Sequence, residues 1–440
     1  MKKVVVIGIG YVGTAVASAF AKAGHSVIGV DNQEWKIQAI NKGICPIEGD
    51  EPGLKELIKE MAEKKRLSAT SDFSVCKNAD LIIIAVNTPV NESTKEPEYG
   101  PLRAVTQAIG RNLGKGSIVV VESTIAPKTM EKVVRPLLER ESGLLAGKDF
   151  YLANCPERVT PGRLLYNLEH YNRVLGGING DSAKRALKFY TDIVKGDIDI
   201  TDCTTAEIVK TAENAYRDVQ IAFANEIALI CEKLGADAYK VRHLVNKCPF
   251  RDMHVPGAGV GGHCIPKDSW LLAYGVKGEL GTELLKTSRK INDGMPHHTV
   301  ELIRNAFRSA KKEIKKSKVA VLGLAFLPDS DDLRNSPAIH IINELKKSGC
   351  NVIVHDPFVL DFYIDYYKLR QESVSFTRDI GEAIKGVDCV VVATLHSGYK
   401  KLEPETLGKK MRTKIIVDGR NLFDRKKCEK AGFIYRGIGK

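Results

Sequence analysis

The sequence predicts an α/β protein built from two doubly wound, Rossmann-like parallel sheets joined by a long central helix. Three observations predict it: a strand, glycine turn and helix at the N-terminus, an unbroken helical stretch near the middle, and a second α/β run that restarts at Val319. At 440 residues the chain exceeds what one hydrophobic core usually supports. With 43% hydrophobic and 27% charged residues it has globular composition, which argues against disorder or a disulfide scaffold. No apolar run approaches the roughly 18 residues of a membrane span, and the apolar start runs into a glycine motif rather than a cleavage site. Ten cysteines without framework spacing fit a reducing compartment, so a cytoplasmic location is expected.

Residues 3 to 9 form the first strand, rich in Val and Ile. Gly8-Ile9-Gly10-Tyr11-Val12-Gly13 follows, opening an Ala-rich helix that runs to Gly24. A second strand, Ser26 to Val30, ends in Asp31, eighteen positions after Gly13. Two glycines serve the turn and close phosphate approach, the third serves helix packing, and the acid serves the ribose hydroxyls of a dinucleotide. An acid at position 31 repels a 2′-phosphate and so favours NAD over NADP. Strands at Leu81 to Val86 and Ser117 to Val121 lead into the polar loops Asn87-Thr88-Pro89 and Glu122-Ser123-Thr124, at the strand ends where such sheets hold ligands.

Thr205 to Leu234 carries a helical pattern free of proline and glycine and stopped by Gly235, roughly 45 Å at about 1.5 Å per residue. Lys210 and Asn214, four apart, share one face of it, as do Glu207 and Lys210. A lysine and an amide together can hold, or protonate, an oxygen that becomes negative. In the glycine-rich segment beyond, Gly261-Gly262-His263-Cys264-Ile265-Pro266-Lys267-Asp268 places Cys264 just before a helix whose first turn accepts Pro266. The positive end of that helix favours thiolate. His254, His263 and Cys264 have no familiar zinc spacing, so no metal is expected.

The α/β pattern then restarts at Val319 to Leu322 with Gly323-Leu324-Ala325-Phe326, and a strand from Asn351 to His355 ends in Asp356. Ala79-Asp80-Leu81-Ile82-Ile83-Ile84-Ala85 is echoed by Val387-Asp388-Cys389-Val390-Val391-Val392-Ala393. Without the full glycine fingerprint, this second sheet suits a nucleotide-like ligand better than a second dinucleotide. The expected divisions are 1–200, 201–300 and 315–440. Lys and Arg number 66 against 54 acids, a net +12, part of it in the cluster Lys311, Lys312, Lys315, Lys316 and Lys318. No aromatic-interleaved basic patch accompanies that charge, which fits small anionic ligands better than nucleic acid.

The ordered set of motifs resembles the UDP-sugar 6-dehydrogenases, the family shared by UDP-glucose dehydrogenase and the UDP-N-acetylhexosamine dehydrogenases. It comprises Gly8 to Gly13 with Asp31, Val86-Asn87-Thr88-Pro89, Ser123-Thr124 followed by Pro127, Pro156-Glu157-Arg158, Lys210 with Asn214, Gly261 to Asp268, Gly323 to Phe326, Asp332-Leu333-Arg334-Asn335-Ser336-Pro337 and Asp418-Gly419-Arg420. The resemblance implies oxidation of the sugar C6 alcohol to a carboxylate with two NAD. The alcohol proton goes to Lys210 or to water held by Asp268 and Thr124. Cys264 then attacks the aldehyde, a second hydride leaves to give a thioester, and water oriented by Asp268, Thr124 and Glu157 hydrolyses it. Lys210 and Asn214 stabilise the oxyanions, and a cationic Lys210 helps hold Cys264 as thiolate.

The same resemblance assigns Gly8, Gly10, Tyr11, Val12, Gly13, Asp31, Lys36, Thr88, Ser123, Thr124, Lys267 and Arg334 to the cofactor. It assigns Glu157, Arg158, Val159, Lys210, Asn214, Arg251, His254, Gly261, Phe326 and Arg420 to the UDP-sugar, with Arg251 crossing into a partner subunit's site and so implying a homodimer or higher homo-oligomer. One departure is Leu327, where the family commonly has lysine. The run Cys155 to Gly162, with Arg251, His254-Val255-Pro256-Gly257 and His263 to Pro266, is similar to the N-acetylhexosamine branch. UDP-N-acetyl-D-mannosamine is the first choice of substrate, ahead of UDP-N-acetylglucosamine, UDP-N-acetylgalactosamine and UDP-glucose. The product type feeds polysaccharides, glycans or envelope polymers. Two readings of other classes stand beside it, a two-electron β-hydroxyacid dehydrogenase and a non-catalytic NAD-binding protein.

Overall fold

A computed structural model describes residues 1–47, 51–159, 162–370 and 373–440. Thr160 and Pro161, part of the run compared above, lie outside the described residues. The chain divides into two compact units, one of residues 1–213 and 270–281, the other of residues 214–269 and 282–440.

In the first unit the strands are Lys3–Ile7 (β1), Ser26–Val30 (β2), Leu67–Thr70 (β3), Leu81–Ile84 (β4), Ile118–Val121 (β5), Tyr151–Asn154 (β6), Arg173–Gly177 (β7) and Ile198–Asp202 (β8). They form one sheet in the order β3-β2-β1-β4-β5-β6-β7-β8. Every neighbouring pair is parallel except β6 and β7, which meet antiparallel. Both faces of its centre are buried, which is why these strands are continuous apolar runs. Val4, Val6, Leu81, Ile83, Ile118 and Val120 pack on one side. Val5, Ile7, Ile82, Ile84, Val119 and Val121 pack on the other. A one-residue slip in any of these strands would exchange its two faces.

The second unit repeats the grammar with Lys318–Leu322 (β9), Asn351–His355 (β10), Val374–Thr377 (β11), Cys389–Val392 (β12), Ile415–Asp418 (β13) and Ile434–Gly437 (β14). The order is β11-β10-β9-β12-β13-β14, all parallel. Its centre is likewise buried on both faces, with Val319, Val321 and Val391 on one and Ala320, Leu322 and Val392 on the other. The helix Cys203–Leu234 carries the chain from the first unit into the second, two residues longer at its start than the expected stretch. Among the described residues no helix is long and apolar enough to cross a membrane. Seven of the ten cysteines are buried, as expected of small hydrophobes, while Cys248 and Cys264 are exposed.

Candidate active site

In the first unit the turn after β1 is tied down by backbone geometry. Gly8 has φ +92°, and a Cβ at Gly13 would collide with the Gly8 carbonyl oxygen, so the helix Tyr11–Lys22 can approach β1 only with glycine there. Around Gly10 a Cβ would meet nothing within 4 Å, which leaves the backbone open to a pyrophosphate at the helix N-terminus. At the end of β2, Asp31 accepts from the Ile9 and Gln33 amides at 2.9 Å each, and Lys36 Nζ stands 3.8 Å from its Oδ2. Those two amides fix the carboxylate while leaving acceptor capacity for ribose hydroxyls. Tyr11 donates its hydroxyl to Glu51 at 2.7 Å, and Val12 packs against the core of this sheet. The residues present fit NAD.

The loops after β4 and β5 are clasped together. Thr88 Oγ1 donates to the Thr124 carbonyl at 2.6 Å, and Ser123 Oγ donates to the Val86 carbonyl at 2.7 Å. Further along, Glu207 of the long helix accepts from the amides of Lys128 and Met130 at 2.7 Å each. Sequence reading put Glu207 on the Lys210 face of the long helix and gave it no role of its own. It is instead a buried anchor for the chain that follows Thr124, and burial raises it to about 7 against the pull of those amides. Lys210 itself is half-buried.

After β6, Glu157 accepts from the Arg158 amide at 2.6 Å and faces Arg173 Nη2 at 2.6 Å. Glu122, at the end of β5, accepts from the Tyr190 hydroxyl at 2.6 Å. Burial raises Glu122 to about 7, with Arg173 pulling down and Glu157 pushing up. The Arg158 guanidinium pairs with Glu213 and donates to the Asn172 carbonyl at 2.7 Å, so two of its arms are engaged within the protein. Val159 packs partly buried against the first core.

In the second unit Cys264 stands at the start of the helix Ile265–Tyr274, where its carbonyl accepts from the Lys267 and Asp268 amides at 3.0 and 2.9 Å. The expected place at a helix N-terminus is therefore the observed one. Gly262 is gripped from both sides, its amide donating to the Arg334 carbonyl at 2.7 Å and its carbonyl accepting from Asn335 Nδ2 at 2.9 Å. The Phe326 ring lies against Gly261 and Gly262 so closely that a Cβ at either would enter it. Burial, then Lys267 and Arg334, lowers His263 to about 4, which keeps the imidazole beside Cys264 neutral at pH 7. Asp268 is buried, accepts from Asn214 Nδ2 at 2.6 Å and faces Lys267 Nζ at 3.1 Å. Lys267, expected at the cofactor, is thus engaged with Asp268. Arg334 pairs with Asp332 at 2.6 Å.

Other expected substrate residues have partners inside this unit. Arg420 donates to the carbonyls of Ala393 at 2.8 Å and Gly259 at 3.4 Å, tying β12 to the glycine segment ahead of Cys264. His254 bonds Gln220 at 3.1 Å, and Arg251, exposed, donates to the Pro249 and Phe250 carbonyls. Leu327 is exposed. No group of three or more His, Cys, Asp or Glu side chains able to hold a metal occurs among the described residues.

Sequence reading missed a buried polar network under this site. Asp218 of the long helix accepts from Arg289 Nη1 at 2.5 Å, Asn292 Nδ2 at 2.8 Å and Ser269 Oγ at 3.1 Å. Asn225 links Asn292, at 2.8 Å, to the Gly257 amide, at 2.9 Å. The network fixes the residue after Asp268 and the glycine segment before Cys264. Its one signal in the sequence is Ser288, Arg289 and Asn292 falling on the helical face shared by Met295, Pro296 and Thr299.

Profiles of the UDP-glucose/GDP-mannose dehydrogenase family match three segments: its NAD binding domain residues 2–194, its central domain residues 204–294 and its UDP binding domain residues 320–425. The UDP-N-acetyl-D-mannosamine dehydrogenase of Pyrococcus horikoshii is 38% identical over 438 residues, covering 100% of this chain and 99% of that protein. A solved structure of UDP-D-ManNAc dehydrogenase from the same organism superposes with TM-score 0.90 at 37% identity, covering 99% of each chain. That of an NDP-N-acetyl-D-galactosaminuronic acid dehydrogenase from Methanosarcina mazei Go1 gives 0.89 at 38%, covering 100% of this chain and 95% of that one. The chain belongs to the UDP-glucose/GDP-mannose dehydrogenase family, as an NAD-dependent UDP-sugar dehydrogenase of the UDP-N-acetyl-D-mannosamine dehydrogenase branch.

Proposed function

We propose that the protein oxidises C6 of UDP-N-acetyl-D-mannosamine to the carboxylate in two successive two-electron steps, through a thiohemiacetal and a thioester on Cys264. The observation that carries this reading is an exposed cysteine capping the helix Ile265–Tyr274, with the buried, Asn214-bonded Asp268 one turn further on. A two-electron β-hydroxyacid dehydrogenase needs no such thiol and no second doubly wound sheet.

Bound NAD supplies the hydride acceptor for each oxidation. The alcohol proton passes to Lys210 or to water held by Asp268 and Thr124. Cys264 sulfur adds to the aldehyde carbon, and Lys210 and Asn214 donate to the oxygen that becomes negative. Hydride loss from the thiohemiacetal leaves the thioester. Water then adds to its carbonyl, the C–S bond breaks, and Glu157 takes part in orienting that water. Arg158, Val159, Arg251, His254, Gly261, Phe326 and Arg420 are the proposed sugar and nucleotide contacts, with 1–200, 201–300 and 315–440 as the functional divisions. The test is NADH released per sugar consumed, with the mannosamine, glucosamine and glucose nucleotides offered separately. Two equivalents from the mannosamine nucleotide are expected. One equivalent would shift the reading to the two-electron enzyme, and two from another sugar would reassign the substrate.

We further propose a homodimer formed through the long helix. Tyr216, Phe223 and Ile230 are 66%, 54% and 46% exposed at seven-residue spacing, an apolar stripe of the kind that two such helices cover together. Sedimentation at twice the chain mass is expected, falling to the monomer in Phe223→Glu. A monomeric wild type would remove this proposal and with it the partner role of Arg251.

A further inference from the structure

Arg173 opens β7, a position at which a charge reads as an ordinary solvated strand end, yet it is wholly buried. Taking a guanidinium out of water costs several kcal/mol unless charge meets it. The charge that meets it is Glu157, with Nη2 2.6 Å from Oε2, and Glu157 is itself only 7% exposed. Glu122, the other carboxylate in range, is equally buried and already receives the Tyr190 hydroxyl. The Glu157 amide donates to the Glu122 carbonyl at 3.3 Å, so the two strand ends that carry Glu122-Ser123-Thr124 and Glu157-Arg158 are stitched by backbone as well as by charge.

Two carboxylates that share a buried place cannot both stay ionised without a cation, and one of them would take a proton. Arg173 is the cation that meets them. Its short contact is to Glu157, while Tyr190 serves Glu122. The opposing effects on Arg173 agree, since burial disfavours its charge and Glu157, Cys155 and Glu122 more than restore it. The Arg158 amide takes one of the roughly four acceptor positions of the Glu157 carboxylate, and Arg173 meets Oε2 as an ion pair, which leaves acceptor capacity for water.

We propose that Arg173 is a positioning residue for the last step of the reaction, holding the Glu157 carboxylate in place to orient the water for thioester hydrolysis. The inference rests on the four-electron reading given above. In that step water oxygen adds to the thioester carbonyl and the Cys264 C–S bond breaks. One water proton goes to the departing thiolate, the other is lost to solvent as the acid ionises, and the uronate leaves. No electrons move, so the step needs no further reagent. The titratable groups around Glu157 are Arg173, Glu122, Cys155 and Tyr190. Without Arg173 the Glu157 carboxylate loses the cation that holds it in place, and the water loses its orientation.

The test is pre-steady-state NADH release and intact-protein mass for Arg173→Gln and Arg173→Lys beside the wild type. Arg173→Gln should release close to two NADH per subunit in a burst, then turn over about a hundredfold more slowly. It should carry a uronyl adduct on Cys264. Arg173→Lys, which keeps the charge, should restore hydrolysis to within about tenfold and clear the adduct. It serves as the test by itself should the glutamine variant not fold. If wild type gives two NADH per sugar but Arg173→Gln shows no adduct, or loses burst and turnover alike without rescue by lysine, the inference is overturned alone. A wild type that yields one NADH or none overturns the four-electron reading and this inference with it.

Discussion

Cys264→Ser should abolish the second oxidation while leaving the first. Formation of the carboxylate product is expected to fall by on the order of 10⁴-fold or more, the scale on which removal of a covalent nucleophile acts. The reason lies in where the side chain sits. Its own carbonyl closes the first turn of the helix Ile265–Tyr274, so the sulfur is at the positive end of that helix, and Gly262 behind it is gripped by Arg334 and Asn335. A serine hydroxyl in the same place keeps the geometry but is a weak nucleophile at neutral pH, since a helix end can depress a thiol into the neutral range and cannot do so for an alcohol. The variant should release at most one NADH per sugar, with free aldehyde trapped by hydroxylamine. Full activity in the serine variant would sink the thioester mechanism.

The second large effect belongs to stability. Asp218→Ala removes the acceptor shared by Arg289, Asn292 and Ser269, and leaves a 1%-exposed guanidinium with Asp293 on the solvent side as its remaining charge partner. Breaking one side of a buried pair costs about 3–5 kcal/mol. For a unit of this size that corresponds to a drop of roughly 10 °C in its thermal midpoint. Differential scanning calorimetry should show the loss in one transition, and Asp218→Asn should recover part of it by keeping an acceptor for Ser269. A shift below about 2 °C would mean that Arg289 finds another way to be solvated. Replacing the whole cluster with apolar side chains of like volume is a different experiment and need not destabilise.

Much of this architecture is legible because parallel strands buried on both faces must be continuous apolar runs. Val4 to Ile7, Leu81 to Ile84, Val319 to Leu322 and Cys389 to Val392 announce themselves in that way. Glycine is equally legible at position 13, because its neighbour there is a backbone oxygen rather than a side chain. The antiparallel join of β6 to β7 and the edge strand β8 were not read. Ile198–Asp202 is half polar and exposed along its length, and strand propensity there is decided by pairing with Arg173 to Gly177. Arg173, Glu122, Asp218 and Arg289 escaped for one shared reason. A charge in a sequence looks solvated until the fold supplies its partner, and these partners lie between 16 and 71 positions apart.

The two sheets each end their second strand in an aspartate, and the fate of that one side chain separates them. Asp31 accepts two amides. Asp356 accepts four, from Leu324, Ala325, Phe358 and Val359, and its Oδ2 also meets His396 Nε2 at 3.0 Å. The imidazole is orientated for this by the Asp329 amide, which donates to its other nitrogen. No acceptor position is left on Asp356 for a ribose. A doubled α/β unit can therefore diverge in what it recognises without altering a strand, by saturating a single carboxylate in one copy and leaving it unsaturated in the other.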